Sequence, residues 1–338
     1  MPKQRILTGI RPTGPLHLGH YVGALENWVR LQDEYECFFL IADYQALGDH
    51  LREIDRIREA VIEGTLDWLA VGLDPKKSAF VIQSYIPEHA ELTMLLSMLT
   101  PLHRHRRNPT LKAEMAQLEE EHEELSLGFF NYPVSQVADI ILPKAHLVPV
   151  GDDQAPHIEY TREITRRFNR SYGEVFPVPK ALIGRVPRLA GLDGKAKMSK
   201  SLDNAIYLSD DAATVESKVK RMVTDVTGSH PRLRATDPGI VEYNPVFLYH
   251  DAFNPALDEV AELKERYGAG RVSDMEVKER LITALNGFLD PIRERRAAYA
   301  VRPDDVHDAL LDGTQRAKRV AEQTMREVRE AMRIIYTA

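Results

Sequence analysis

The sequence predicts an α/β domain built on a parallel sheet, followed by a domain that consists of helices. Short apolar runs alternate with amphipathic segments through the first part of the chain, and such alternation is typical of a parallel sheet. After Ser201 the alternation stops, and the pattern is helical from Asp210 onward. We therefore expect an α/β domain over residues 1–205 and a helical domain over residues 206–338.

The chain is expected to begin with a strand, a tight loop and a helix. The first strand is predicted at Arg5–Ile10, a short apolar run. Pro12 prevents a helix directly behind it, and Gly14 permits an unusual backbone turn. A helix is then predicted at Leu18–Leu31, because its apolar residues recur at helical spacing.

Three further strands and one long helix complete the predicted α/β domain. The strands are expected at Cys37–Ala42, Ala79–Gln83 and Leu147–Val150, and the helix at Arg52–Val71. In a parallel sheet, ligands bind beyond the carboxyl ends of the strands. The segment Gly9–Gly14 and residues 43–45 would lie at that edge.

Helical patterns account for most of the remaining chain. A charged helix is expected at Leu111–Leu125, and its acidic run 119–124 is expected to be a solvated face. In the second domain, helices are predicted at Ala212–Met222, Asn254–Tyr267, Asp274–Ala300 and Pro303–Met332.

Length, composition and cysteine usage limit the class of protein. The 338 residues suffice for two domains, and 43% apolar with 28% charged residues is typical of a soluble globular protein. The net charge of −7 argues against a protein that binds nucleic acid by electrostatics alone. The single cysteine, Cys37, cannot form an internal disulfide and is expected to be a buried small hydrophobe. With no transmembrane or signal-peptide pattern, we expect a soluble cytoplasmic protein.

A turn with two histidines follows the first strand. His17 and His20 lie one helical turn apart at the start of the predicted helix, where backbone N–H groups and the helix dipole attract anions. Both rings can donate to phosphate oxygens, and Gly19 lets a nucleotide approach the backbone. The turn predicts a fixed phosphate site, with ordinary helix-capping histidines as the alternative.

A motif with two lysines stands far downstream. The segment Lys197–Ser201 has the sequence Lys-Met-Ser-Lys-Ser and follows the glycine-bearing turn Gly191–Gly194. Lysines alone are usual on a solvated surface, but Lys197 and Lys200 are spaced to form a mobile cationic clamp. Together with the two histidines, they indicate a nucleoside triphosphate held at both ends.

A third group of polar residues shares one face of a predicted helix. Tyr132, Gln136 and Asp139 fall at positions i, i+4 and i+7. Asp139 stands in the apolar run Val137–Leu142, where a paired or capping carboxylate is the ordinary explanation and a ligand acceptor is the alternative.

These motifs resemble those of the class I aminoacyl-tRNA synthetases and, within them, the tryptophanyl-tRNA synthetase family. The resemblance rests on Thr8–Gly14, His17–Tyr21, Pro149–Gln154 with His157–Glu159, and the Lys-Met-Ser-Lys-Ser segment, and it extends over nearly the whole chain. It implies a Rossmann-like domain that activates L-tryptophan with ATP and transfers it to tRNA(Trp). It also implies a homodimer whose helical domain binds the anticodon.

The resemblance implies roles in nucleotide binding. His17, His20, Lys197 and Lys200 would be catalytic, with the lysines neutralising charge on the leaving pyrophosphate. Mg²⁺ would be carried by the ATP phosphates and not by protein side chains. The residues that would contact ATP are Arg11, Pro12, Thr13, Gly19, His20, Lys112, Gly151, Asp152, Asp153, Arg188, Leu189, Lys197, Met198, Ser199, Lys200 and Ser201.

The resemblance also implies a tryptophan pocket. Asp139 would accept the indole N–H, the only ring donor of tryptophan, and phenylalanine would leave that carboxylate unpaired. The residues that would bind tryptophan are Gly9, Gln45, Tyr132, Gln136, Asp139, Val148, Val150 and Gln154.

Two positions depart from the family pattern. Gln136 stands where many bacterial relatives carry methionine, and Gln45 replaces a common histidine. We hypothesise that the pocket admits ring-substituted tryptophans. Comparing the activation of tryptophan and such analogues tests this hypothesis, and rejection of all of them would refute it.

Three alternatives stay open. Tyr132, Gln136 and Asp139 also resemble a trio in tyrosyl-tRNA synthetase. A synthetase-like paralogue with a regulatory or partner-binding role would not need the histidines and lysines. A small adenylyltransferase shares the histidine turn but would not need the long helical tail.

The most basic stretch is Leu102–Arg107, with Lys112 shortly behind it. A solvated loop is the ordinary explanation. The alternative is contact with the acceptor stem of tRNA or, for Lys112, with ATP phosphates. Phosphate contacts of this kind would make RNA binding sensitive to salt.

Overall fold

A five-stranded parallel sheet lies at the centre of the described part of the chain. The computed structural model describes residues 3–120, 125–151, 155–183, 189–194, 198–200, 202–226, 232, 234 and 236–336. The strands are β1 (Arg5–Ile10), β2 (Glu36–Ile41), β3 (Ala79–Ile82), β4 (Leu147–Val150) and β5 (Lys180–Ile183). Their order is β3-β2-β1-β4-β5, and all neighbouring strands are parallel. The predicted parallel α/β fold is therefore confirmed.

Helices surround the sheet and make up the second part of the chain. Those of the first part are α1 (Leu18–His20), α2 (Glu26–Glu34), α3 (Asp43–Asp49), α4 (Ile54–Val71), α5 (Pro87–Leu99), α6 (Leu102–His105), α7 (Pro109–Glu120), α8 (Leu127–Ile141) and α9 (Ala155–Tyr172). Those of the second part are α10 (Ala212–Lys220), α11 (Pro245–Phe253), α12 (Leu257–Gly268), α13 (Asp274–Ala300) and α14 (Pro303–Ala331). No helix in the described residues is long and apolar enough to cross a membrane.

Several predicted helices differ from the observed ones in their bounds, and two of these differences have an identifiable reason. The one predicted at Leu18–Leu31 is interrupted by a π-helical turn, Tyr21–Leu25, because apolar spacing alone does not distinguish a widened turn from a regular one. The one predicted at Leu111–Leu125 begins two residues earlier, at Pro109, where proline suits the first turn of a helix. Residues 121–124 lie outside the described residues.

Both faces of the sheet are covered by helices, as a parallel sheet requires. Successive residues of β1 point to opposite faces, so Ile6 and Leu7 belong to different cores. In one core, Trp28 of α2 stacks on Phe39 with ring centroids 5.1 Å apart. The other core joins β1–β3 to α5, α8 and α14. Cys37 is buried in the first core, and burial raises the pKa of its thiol to about 12.

The last helix of the chain packs directly on the sheet. In α14, Thr314 Oγ1 accepts the Ile82 N–H of β3 at 3.0 Å. One residue earlier, a Cβ on Gly313 would lie 2.3 Å from both the backbone N and O of Phe80. Only glycine lets the helix approach the strand so closely. The division at 205 and 206 stays a prediction, and this helix of the second part covers β3 of the first.

We expect Gly313→Ala to destabilise the protein by about 1–3 kcal/mol, because the new methyl group forces α14 away from β3. Gly287→Ala in α13 is the matched control, since no atom lies within 4 Å of its Cβ position. There we expect a stabilisation of about 0.4–1 kcal/mol, because alanine reduces the freedom of the unfolded chain. Urea unfolding measures both, and equal effects would contradict the packing argument.

Candidate active site

The chain passes from β1 to β2 and β3 on one side of the sheet and then continues with β4 and β5 on the other side of β1, so the direction of its connections reverses between β1 and β4. The loop after β1 lies at this reversal. The crevice at such a reversal is the usual ligand site of an open parallel sheet. Gly9, near the end of β1, would place a Cβ only 2.2 Å from the Leu40 carbonyl oxygen of β2. The close approach of the two strands thus requires glycine at position 9, independently of the predicted role of Gly9 in tryptophan binding.

The two histidines of this loop hold each other's backbone. The His20 N–H donates to His17 Nδ1 at 3.3 Å, and the His17 N–H donates to His20 Nδ1 at 3.1 Å. The ring centroids are 3.7 Å apart. Because each Nδ1 accepts a hydrogen bond, a neutral ring carries its proton on Nε2, which is then a donor. The reciprocal capping thus makes Nε2 the donor of each neutral ring, and the phosphate-binding role of the two histidines stays a prediction.

A short antiparallel ladder carries the histidine turn. The Leu18 N–H donates to the Ile206 carbonyl, and the Leu208 N–H donates to the Leu16 carbonyl, both at 2.9 Å. Between them, His17 pairs with Tyr207. Residues 206–208 follow the predicted lysine clamp in the sequence, so the ladder ties the two motifs together.

The two motifs are also in direct contact. The Gly19 N–H lies 3.4 Å from Met198 Sδ, and a Cβ on Gly19 would approach Met198 Cβ to 3.4 Å. Asn204 fixes the neighbouring Ser199, whose N–H it accepts at 2.8 Å. Its amide donates in turn to Asp193 Oδ1 at 3.2 Å. The structure therefore brings together segments almost 180 residues apart in sequence.

Lys200 is directed at the turn after β1. Its Nζ donates to the Gly14 carbonyl at 2.7 Å and lies 3.4 Å from Thr13 Oγ1. Gly14 has a φ of 131°, a conformation that favours glycine. Burial and, to a lesser extent, the positive charge of Arg56 lower the pKa of Lys200 to about 8, while the Asp67 carboxylate opposes them.

A buried ion pair that the sequence analysis missed supports the same turn. Asp67 of α4 is fully buried, and its Oδ2 accepts the Leu16 N–H at 3.0 Å. Its Oδ1 accepts from Arg296 Nε of α13 at 2.9 Å. Arg296 also pairs with Glu63. The backbone just before His17 is thus held by a helix of the second part of the chain.

Asp139 stands at the centre of a buried polar cluster. Its Oδ2 accepts from Gln45 Nε2 at 2.9 Å, and its Oδ1 accepts from Gln83 Nε2 at 2.7 Å. His89 Nε2 lies 3.0 Å from Oδ1. A carboxylate has about four acceptor sites, so these three donors leave room for one more on Oδ2. Burial is the largest single influence on His89 and lowers its pKa, but the Asp139 carboxylate, the Ser135 carbonyl and Asp43 together raise it by more, so the net shift is upward.

Gln83 and His89 are further site residues that the sequence analysis missed. Gln83 also accepts the Tyr44 N–H at 3.1 Å, so it joins the ends of β2 and β3 to Asp139. An apolar cavity of about 30 Å³ lies beside the cluster, between the sheet, α8 and α14. Tyr132 and Gln136 are half-buried on the same helix as Asp139, as predicted.

The remaining predicted residues fall into two groups. Among those that the structure describes, Arg11 and Lys112 are exposed, the latter on α7. Pro12, Val148 and Leu189 are buried, and Val150 and Gly151 are half-buried at the end of β4. Asp152, Asp153, Gln154, Arg188, Lys197 and Ser201 lie outside the described residues. Their predicted roles stay predictions.

Comparison with known proteins gives one family. The sequence profile described as tRNA synthetases class I (W and Y) matches residues 2–290. The "Tryptophan--tRNA ligase" of Treponema pallidum is 52% identical over 330 residues, which cover 97% of this chain and 96% of that protein. That of Chlamydia caviae is 48% identical over 336 residues, or 98% of this chain and 96% of the relative.

A solved structure agrees with these relatives. The tryptophanyl-tRNA synthetase of Campylobacter jejuni, complexed with ADP and tryptophan, superposes with a TM-score of 0.86 at 31% identity. The match covers 97% of this chain and 99% of that one. The chain therefore belongs to the class I tRNA synthetases, in the family that comprises the W and Y enzymes.

Proposed function

We propose that the protein is a tryptophan–tRNA ligase. It activates L-tryptophan with ATP to tryptophanyl-adenylate and pyrophosphate, and then transfers the acyl group to tRNA(Trp). The observation that carries the activation step is the contact between the histidine turn and the segment Met198–Lys200. Relatives about half identical over nearly the whole chain support the choice of amino acid.

In the activation step, the carboxylate of tryptophan attacks the α-phosphorus of ATP. The bond between the carboxylate oxygen and the α-phosphorus forms while the bond from that phosphorus to the pyrophosphate oxygen breaks. His17 and His20 donate to phosphate oxygens from Nε2, and the ammonium groups of Lys197 and Lys200 offset the charge that develops on pyrophosphate. Mg²⁺ bound to the ATP phosphates would add positive charge there, and no side chain of the protein is assigned to hold it.

Asp139 selects the amino acid in this proposal. Its Oδ2 accepts the indole N–H of tryptophan, while Gln83 and His89 hold the carboxylate in place. Phenylalanine has no ring donor, and a buried acceptor left unpaired discriminates by a factor of about 10⁴–10⁵. The hypothesis that Gln45 and Gln136 admit ring-substituted tryptophans stays a prediction.

An exposed apolar patch supports the proposed homodimer. Met94 and Met98, one turn apart on α5, expose 59% and 71% of their surface. Tyr85, two residues before α5, and Leu102, the first residue of α6, are also more than half exposed. Exposed apolar patches of this kind mark protein–protein contacts, and a second copy of the chain is the partner that we propose.

Pyrophosphate exchange into ATP, measured with each of the twenty amino acids, tests the proposed function. Exchange with tryptophan alone is the expected result. Exchange with tyrosine would assign the protein to the sister activity, and exchange with no amino acid would leave a non-catalytic paralogue.

We expect kcat/KM for ATP to fall as the pH rises above about 8. Lys200 is a cation below its pKa of about 8 and neutral above it, and only the cation offsets the charge that develops on the leaving pyrophosphate. Because kcat/KM reports the free enzyme, the decline should approach tenfold per pH unit. Lys200→Arg keeps its charge throughout this range. The same decline in that variant would show that another group titrates.

A further inference from the structure

Two cations converge on one turn of the backbone. Lys200 Nζ donates to the Gly14 carbonyl at 2.7 Å, and Arg56 Nη2 donates to the adjacent Thr13 carbonyl at 3.1 Å. They reach the turn from different elements, Arg56 from the first turn of α4 and Lys200 from the segment after Met198. Like charges so placed repel each other, and the charge of Arg56 lowers the pKa of Lys200.

The neighbouring carboxylates do not fully balance this charge. Glu53 pairs with Arg56 one turn away and offsets one of the two cations. Asp67 lies beyond the turn, where Arg296 and the Leu16 N–H already occupy its oxygens. The turn between Thr13 and Gly14 thus keeps an excess of positive charge, which favours an anionic ligand.

Arg56 is also accessible to a ligand. Half of its side-chain surface is exposed. A guanidinium has five N–H donors, and the described residues give Arg56 two acceptors, Glu53 and the Thr13 carbonyl. The remaining donors form the planar fork that suits a phosphate group. Thr13 lies four residues before His17, on the same loop as the histidine donors.

We propose that Arg56 binds a phosphate group of ATP beside Lys200, as a further substrate-contacting residue of the activation step. The proposal rests on the proposed function and adds α4 to the elements that hold the nucleotide. A phosphate of tRNA is the other anion that the protein would meet, but the place of the turn between Lys200 and His17 favours the triphosphate.

Arg56→Gln tests this assignment, with Arg58→Gln as the matched control. Arg58 lies two residues further along α4 and is exposed. In tryptophan-dependent pyrophosphate exchange, we expect Arg56→Gln to raise the KM for ATP about tenfold and to leave the KM for tryptophan unchanged. Arg56→Lys keeps the charge and should restore part of the affinity. In calorimetry, which needs no turnover, Arg56→Gln should weaken ADP binding to a similar extent.

The outcomes separate this inference from the function on which it rests. Absence of exchange in the unsubstituted protein would refute the proposed function. Normal exchange, with the same ATP KM in Arg56→Gln and Arg58→Gln, would refute only the role of Arg56. A raised KM for tRNA with an unchanged KM for ATP would assign Arg56 to tRNA and also overturn the proposal.

Discussion

Replacing Lys200 by methionine is expected to lower the kcat of tryptophan-dependent pyrophosphate exchange about 100- to 1,000-fold. The ammonium group stabilises charge that develops only as pyrophosphate leaves, and an interaction confined to the transition state acts on kcat. Methionine keeps much of the length and apolar volume of lysine but removes the charge. Initial rates at saturating ATP and tryptophan measure the effect.

Lys76→Met is the control for loss of a positive charge. Lys76 is exposed in the turn between α4 and β3, on the surface of the protein. We expect its kcat and both KM values to equal those of the unsubstituted protein. If Lys200→Met raised only the KM for ATP and kept kcat, the lysine would serve binding and not the chemical step.

Asp67→Leu is expected to reduce the free energy of unfolding by about 3 kcal/mol or more. The substitution leaves Arg296, whose side chain is only 17% exposed, without its main partner, and breaking a buried pair usually costs about 3–5 kcal/mol. Glu63 still pairs with Arg296, so we expect the lower end of that range. The Leu16 N–H also loses its acceptor. Urea unfolding gives the value.

The double variant Asp67→Leu/Arg296→Met separates charge from packing. Apolar residues of similar volume often replace a buried ion pair without loss of stability, so the double variant should recover most of the loss. If the double variant were no more stable than Asp67→Leu, the unpaired charge of Arg296 would not be the cause of the lost stability.

The sheet was largely predictable from the sequence, because buried parallel strands are short, nearly continuous apolar runs. The predicted strands Arg5–Ile10 and Leu147–Val150 have the bounds found in the structure. The strand predicted at Cys37–Ala42 lies one residue earlier in the structure, and the one predicted at Ala79–Gln83 ends one residue earlier. The strand β5 was missed. It has four residues at an edge of the sheet and exposes both ends, so its pattern lacks a buried run.

The candidate site was predictable where a motif marks it and unpredictable where distant residues meet. His17, Gly19, His20 and Lys200 stand in recognisable motifs. Arg296 meets Asp67 across 229 residues, a pairing that no local pattern specifies. One signal was available, since Asp67 interrupts the apolar run that begins at Leu66, and a carboxylate in such a run is seldom buried without a partner.

The contacts of α13 and α14 with the sheet have a consequence for synthesis on the ribosome. The Thr314–Ile82 hydrogen bond spans 232 residues and the Arg296–Asp67 pair 229, so neither can form until nearly the whole chain has been translated. Until then the face of β3 that carries Ala79 and Val81 lacks the cover of α14, although all five strands of the sheet have already been translated. Contacts of such sequence separation slow folding and leave apolar strands exposed to aggregation. We expect ribosome-bound chains that end before residue 300 to need a chaperone, and the nucleotide turn to order only after release.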